Sequence, residues 1–377
     1  MNQLRLLGLF LALLIFSTSC GDESVIIPTV SIGNAINEEG NSGTNTMVFT
    51  ISLSEATSVA VSVDYATSGG NATAGQDYET INGTATIAAG ARETTIEVTI
   101  LPDDEEEQDE QFEVTISNAI NADIDKNTGF GTIQNDDVNL NGFTTPDNYA
   151  GLTLVWQDEF AGNSLNTSDW NFETGDHGWG NNELQNYVSG TNNAKVANGL
   201  LTIEAKRAGT GFTSARITTQ GKQSFKYGRI DIRARLPQGQ GIWPALWMLG
   251  SNFPTVGWPE CGEIDIMELV GHEPATTHGT VHWEENGLAS FGGNTSLSAG
   301  IFADEFHVFT ITWDEQFIRW FLDDVQYHAI DIRGIPEFQE DFFFIFNVAV
   351  GGNWPGNPDA TTQFPQTMRV DYVRMFQ

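Results

Sequence analysis

Apolar and polar positions alternate with period two along most of this chain, and no apolar stripe of helical period runs for more than two turns. Residues 47–53, 59–65, 94–100 and 112–116 alternate in this way, and turn clusters such as Ser68-Gly69-Gly70-Asn71 and Ala88-Ala89-Gly90 separate them. Short strands with such regular punctuation predict a β-sandwich over residues 28–137. Residues 138–150 carry no periodicity and many turn formers, so they read as a linker. From Gly151 onward strands recur every 10–15 residues, at 200–205, 227–234, 306–313, 318–322, 342–350 and 368–376. The expected fold is all-β, a sandwich followed by a larger jelly roll over 151–377. The run Phe342-Phe343-Phe344-Ile345-Phe346 is apolar on both faces, which predicts a central strand covered on each side.

One strand pattern contains an anomaly. Glu263, Ile264, Asp265 and Ile266 alternate, which sends both carboxyls to one face and both isoleucines to a core. Glu268, five residues after Glu263, would fall on the opposite face. A β-bulge at or near Met267 restores it to the side of the other two. Glu263 and Glu268 then behave as positions i and i+4, roughly 13 Å apart along the strand. Two glutamates leaning together over that span leave a gap of about 5 Å, the separation that a retaining glycosidase needs between nucleophile and acid/base. Asp265 between them would divide the charge unequally, because like charges at close range cannot all ionise. The same three acids would also suit a solvated strand face or a calcium ion.

The distribution of aromatic residues narrows this choice. All ten tryptophans lie beyond residue 150, and Trp243, Trp247, Trp258 and Trp283 lie close to the acidic strand in sequence. An indole face matches the C–H face of a pyranose, so tryptophans beside paired carboxyls suit a polysaccharide. In Ile242-Trp243-Pro244-Ala245-Leu246-Trp247 a strand places Trp247 opposite Leu246. The loop at 179–185, holding Asn182 and Glu183, offers hydrogen-bonding groups for hydroxyls, as do Arg216 and the strand residue His282. No second histidine at metal spacing, phosphate loop or Ser-His-Asp arrangement competes.

The 377 residues carry 50 acidic and 16 basic side chains, a formal charge of −34. That excludes nucleic acid as a natural partner and suits an exported, soluble protein. Arg5 followed by the apolar run 6–16 reads as a signal peptide, too short to span a bilayer. Ser17-Thr18-Ser19-Cys20 resembles a bacterial lipoprotein cleavage site, with Ser17 departing from the usual leucine. Residues 1–20 would be the signal, with Cys20 lipidated, and 21–27 a tether. Gly21-Asp22-Glu23 resembles the export signal of surface lipoproteins in some Gram-negative bacteria. The expected location is the outer membrane or cell surface, with membrane contact only through that anchor, and otherwise secretion. The other cysteine is Cys261, so no disulfide framework is expected.

Two resemblances follow from these residues. Val63-Asp64-Tyr65-Ala66-Thr67, Ala72 to Tyr78, Glu107 to Phe112 and Gly131 to Asp137 resemble a Calx-β domain. That resemblance implies an immunoglobulin-like sandwich with weak calcium binding by acids at one end, at positions matching Glu39, Asp77, Asp103, Glu107 and Asp137. Trp156-Gln157-Asp158-Glu159-Phe160, Trp179 to Tyr187, Ser214 to Thr219, Tyr227 to Ile230, Gly241 to Met248, Cys261 to Gly271, Gly279 to Trp283 and Val348 to Trp354 resemble glycoside hydrolase family 16. Within it they are most similar to the laminarinase-type β-1,3-glucanases.

Carried over residue by residue, the second resemblance makes Glu263 the nucleophile, Asp265 its assistant and Glu268 the acid/base. Asn182, Glu183, Arg216, Trp243, Trp247 and His282 would line sugar subsites, and a structural calcium would sit at Glu159, Gly199 and Asp371. No cofactor takes part in the chemistry. The implied activity is retaining endo-hydrolysis of β-1,3-glucan by a monomer. A galactan hydrolase of agarase or carrageenase type, and a non-catalytic carbohydrate-binding surface protein, are the alternatives.

Overall fold

A computed structural model describes residues 27–103 and 105–377. The expected signal segment with Cys20 lies outside the described residues. The chain divides into two units, the first ending at Asn139 and the second running from Leu140 to Gln377.

The first unit is a two-sheet sandwich. One sheet is ordered Glu93–Ile100, Asn45–Leu53, Thr29–Ile32, Asp123–Lys126; the other is ordered Ala35–Glu38, Thr128–Gln134, Glu110–Ile120, Val61–Gly70, Asn82–Ile87. Alternation explains the core directly. Met47, Phe49, Ile51 and Leu53 are buried, while Val48 between them is half exposed. Phe112 sits at the centre, with Tyr78 stacked on it at 4.3 Å and Phe49 edge-on at 5.8 Å.

The second unit is also two-layered, with a ten-stranded and a seven-stranded sheet contributing to one apolar core. The seven-stranded sheet is ordered Asn171–Glu173, Arg216–Thr218, Phe342–Val350, Ile242–Gly250, Glu263–Glu268, Thr276–Glu284, Leu288–Ser296. All nine residues of Phe342–Val350 are buried, and the cause of the apolar run Phe342–Phe346 is visible. Phe342, Phe344, Phe346, Val348 and Val350 enter the main core, while Phe343 and Ile345 form a second cluster with Leu249 and Cys261 on the opposite face. The main core's share is large, since each fully buried phenylalanine or valine contributes about 1.5–3 kcal/mol.

The expected linker departs from the sequence reading. From Leu140 onward it packs on the second unit as a strap. Arg233 donates to the carbonyls of Leu140 and Phe143, at 2.5 and 2.7 Å. The Thr145 amide donates to the Tyr372 hydroxyl at 2.9 Å. Tyr149 donates to Asp231 at 2.7 Å, a fully buried carboxylate that also accepts from Arg229 and Thr310. Gly142 has φ 122° and a Cβ there would stand 1.9 Å from the Phe306 carbonyl oxygen, so only glycine fits. Side chains of the sheet and the Phe306 backbone satisfy this segment's backbone, which is why it shows no strand periodicity of its own.

Candidate active site

The outer face of the seven-stranded sheet forms a cleft of about 870 Å³. Its chemistry starts from one irregularity on the Glu263–Glu268 strand. Leu246 of the neighbouring strand faces Met267, but Trp247 faces Asp265, so the register slips and Ile266 is left without a cross-strand partner. On the other side Asp265 faces Thr280 and Glu268 faces His278, three steps against two. Ile266 and Met267 both enter the core, each at most 1 % exposed. Two consecutive apolar residues therefore share one side, and the β-bulge returns Glu268 to the cleft face with Glu263 and Asp265.

The bulge is supported from beneath. The Asp265 carbonyl accepts a 2.8 Å hydrogen bond from the buried Trp320 indole. Gly279 makes room for that ring: a Cβ at 279 would lie 2.4 Å from Trp320 Cδ1.

Cross-strand register then aligns one residue from each strand into a single row. It runs Glu173, Arg216, Asn347, Ala245, Glu268, His278, Asn294, and every member lines the cleft. At a strand spacing of about 4.8 Å the row is roughly 29 Å long, room for a chain of several sugars lying across the strands. Trp243, Ala245, Trp247 and Leu249 line the same face because they alternate along their own strand, while Leu246 and Met248 are buried.

On one side of the Glu263–Glu268 strand the aromatic residues are locked. The Arg216 guanidinium lies between the rings of Trp179 and Trp247, at 4.6 and 4.8 Å, and pairs with Glu173. Trp247 donates to Asn347 Oδ1 at 2.8 Å, Asn347 donates to the Tyr187 hydroxyl at 3.1 Å, and Tyr187 reaches Glu183 at 3.4 Å. Gln185 donates to the same Glu183 carboxyl at 2.6 Å. The cleft's indole faces are thus held by hydrogen bonds behind them.

The electrostatics follow from burial. Asp265 is 3 % exposed. Burial, followed by the Asp265 charge, holds Glu263 well above the usual carboxylate range and raises Glu268 to about 8. Burial alone raises Asp265 to about 8. His282 Nε2 stands 3.7 Å from Glu263 Oε1 and 3.3 Å from Asp265 Oδ2, and it opposes the rise at Glu263 together with Arg216. At the other end Trp243 donates to Glu268 Oε1 at 3.0 Å. Three carboxyls so close share protons at neutral pH instead of carrying three charges.

The sequence candidates are placed unequally. Glu183, Arg216, Trp243, Trp247 and His282 line the cleft with Glu263, Asp265 and Glu268. Asn182 does not; it has φ 56°, and its amide donates to Asn353 at 2.8 Å, so it braces the loop while Asn181 lines the cleft. Trp283 packs on the core beside Phe338 instead of entering the cleft. Trp179, Trp258, Asn347, Trp354 and His278 line the cleft as well. The last three were missed: Asn347 sits inside an apolar run, and the others carry no local pattern.

Two of the residues expected to cage a structural calcium, Glu159 and Asp371, carry carboxyls paired with arginines. Both oxygens of Glu159 accept from Arg374, at 2.7 and 2.9 Å, and Asp371 pairs with Arg233 at 2.7 Å. Each carboxylate already has its cation. The first unit behaves differently. Glu39, Asp77 and Asp137 are buried there, and Asp77, Glu107 and Glu110 bring ligand oxygens within 4.8 Å of one another. Burial, then Asp103, Glu107, Asp137 and Asp77, raise Glu39 to about 7, and burial with Asp77 does the same for Glu110. All five expected acids therefore act on one another, and Glu110 joins them.

Comparison with known proteins gives matches to both units. The family model Glycosyl hydrolases family 16 matches residues 181–374, and the Calx-beta domain model matches 35–137. A Glucan endo-1,3-beta-glucosidase A1 of Niallia circulans is 40 % identical over 271 residues, 63 % of this chain and 39 % of the relative. A Beta-glucanase of Rhodothermus marinus is 43 % identical over 243 residues, 59 % of this chain and 85 % of the relative. The chain thus spans most of the second relative but about two fifths of the first. The crystal structure of the laminarinase catalytic domain from Thermotoga maritima MSB8 superposes with a TM-score of 0.55 at 45 % identity, covering 60 % of this chain and 98 % of that one.

Proposed function

The chain belongs to the glycosyl hydrolases family 16, and we propose that it is a retaining endo-hydrolase of β-1,3-glucan whose nucleophile is Glu263 and whose acid/base is Glu268. The observation that carries this reading is the bulge, which puts both glutamates and Asp265 on the face of one open cleft. A cleft open along a row of seven strands accepts the middle of a polymer, which is what endo-action requires.

Charge separates the two glutamates. Burial raises both glutamates, but His282 and Arg216 both oppose the rise at Glu263 while Arg216 has no such part at Glu268, so the ionised nucleophile is assigned to Glu263. Glu268, raised to about 8, keeps its proton at neutral pH and is the general acid. Glu263 attacks the anomeric carbon as Glu268 protonates the leaving oxygen, forming a glycosyl ester on Glu263. Water, deprotonated by Glu268, then hydrolyses that ester, and two inversions give net retention. Asp265, between them and without a hydrogen bond at Oδ2, tunes the shared proton count.

The lining supports a neutral glucan. Arg216 is the one lysine or arginine among the described lining residues, and Glu173 already pairs with it. A sulfated galactan would need cations left unpaired. Initial-rate reducing-sugar assays on laminarin test the proposal: Glu263→Gln and Glu268→Gln each lower kcat by about 10³-fold or more, within the usual range for paired catalytic groups. Near-normal turnover in either variant overturns it.

In the first unit, the acids around Glu39 and Asp77 support a calcium site that offsets their mutual repulsion. Export as a lipid-anchored monomer completes the reading, motivated by the Arg5 to Cys20 segment; a Cys20→Ala protein still recovered with membranes would end the anchor proposal.

A further inference from the structure

Beyond Glu268 the row continues into two polar residues that the mechanism does not use, His278 and Asn294. His278 lines the cleft half-buried, yet its Nε2 makes no hydrogen bond within the protein. A buried polar nitrogen left unpaired costs about 1–3 kcal/mol, which a ligand hydroxyl relieves. The ring packs against an aromatic neighbour. It stands edge-on to Trp354, with centroids 4.9 Å apart and planes at 78°. Trp354 in turn meets Trp243 edge-on at 5.6 Å, and Trp243 holds Glu268 through its indole N–H. The acid/base, two indoles and this imidazole are one packed group.

Burial also lowers His278 below the usual histidine range, so at neutral pH the ring is uncharged, with one donor nitrogen and one acceptor. A hydroxyl can serve either nitrogen. The side of the substrate it meets follows from the reaction. The oxygen that Glu268 protonates belongs to the departing sugar and must come within about 3 Å of that carboxyl. The departing sugar is therefore the one that lies against the neighbours of Glu268.

We propose that His278 hydrogen-bonds a hydroxyl of the glucosyl residue on the leaving side of the scissile bond, and so sets the enzyme's preference for a sugar at that subsite. This rests on the hydrolase reading. Trp354, 42 % exposed, backs the imidazole and borders the same sugar.

The test compares two substrates with the full chain: laminarin, which places glucose on the leaving side, and an aryl β-laminaribioside, which places a phenol there. For His278→Ala, kcat/KM falls on laminarin by about tenfold more than on the aryl glycoside, tenfold being about 1.4 kcal/mol, the scale of one hydrogen bond. His278→Gln, which keeps a donor and an acceptor, recovers part of that difference. The proportion of product transferred to added laminaribiose, rather than to water, falls in His278→Ala, because the acceptor occupies the same subsite. Equal losses on both substrates, or no loss on either, overturn the proposal, the first by showing a merely structural role. Failure of the underlying reading is distinguishable: the unmutated protein would then release no aryl group, or Glu263→Gln would still release it.

Discussion

The hydrogen bond from Trp243 to Glu268 gives the most quantitative prediction. Trp243→Phe keeps an aromatic ring at this position but loses the indole N–H that reaches Glu268 Oε1 at 3.0 Å. A donor aimed at a carboxylate favours the ionised form, so this bond lowers an acid that burial and Asp265 otherwise raise. Hydrogen bonds to charged groups contribute about 1.5–3 kcal/mol, and one pKa unit corresponds to 1.36 kcal/mol. Loss of the bond therefore lifts the acid by about 1–2 units, from about 8 towards 9–10. The general acid works when protonated, so its titration sets the alkaline limb of kcat/KM in the free enzyme. Initial rates on laminarin from pH 5 to 10 should show that limb displaced upward by 1–2 units, with the optimum broadened on its alkaline side. A limb that stays in place, or moves down, would refute the assignment of Glu268 as the acid whose proton Trp243 controls.

Other consequences are equally direct. Gly279→Ala drives a methyl into Trp320, whose indole supports the Asp265 carbonyl; overpacking of this kind costs about 1–3 kcal/mol, a fall of roughly 3–10 °C in the second unit's Tm by scanning fluorimetry. An unchanged Tm would mean that the bulge does not lean on that ring. In the first unit Glu39 and Glu110 are raised to about 7 in the fold, so the folded state binds more protons than the unfolded one between about pH 4.5 and 7. The stability they confer at low pH is lost as pH rises through that window. Its melting transition should fall from pH 5 to 7.5 and recover with millimolar calcium, by about 2 kcal/mol at fifty times the dissociation constant. A transition indifferent to calcium at pH 7.5 would remove that site.

Much of the site was legible because a two-residue period leaves an arithmetic trace. Glu268 falls out of phase with Glu263, and the bulge that corrects it is what the register shows. Trp247 opposite Leu246 followed from the same parity. The missing pieces depend on pairing between distant segments. Asn347 is the one polar side chain in nine strand residues, and it enters the cleft because the cross-strand row places it between Arg216 and Ala245. Asn182 and Asn181 are equivalent in a sequence; a left-handed backbone at Asn182 accompanies its turn away from the cleft that Asn181 lines. The strap at 140–150 reads as a linker because its partners, Arg233, Asp231 and Tyr372, lie some 80 to 230 residues onward. The bidentate pair between Glu159 and Arg374 is likewise invisible locally, and it engages a carboxyl expected to face calcium.

The most direct measurement is to trap the covalent intermediate. A 2-fluoro laminaribiosyl fluoride slows both steps, the second more, so the glycosyl-enzyme accumulates and its peptides can be sequenced by mass spectrometry. The sugar should be found as an ester on Glu263, with labelling nearly abolished in Glu263→Gln. A sugar attached to Glu268, or to no carboxylate of the Glu263–Glu268 strand, would contradict the account.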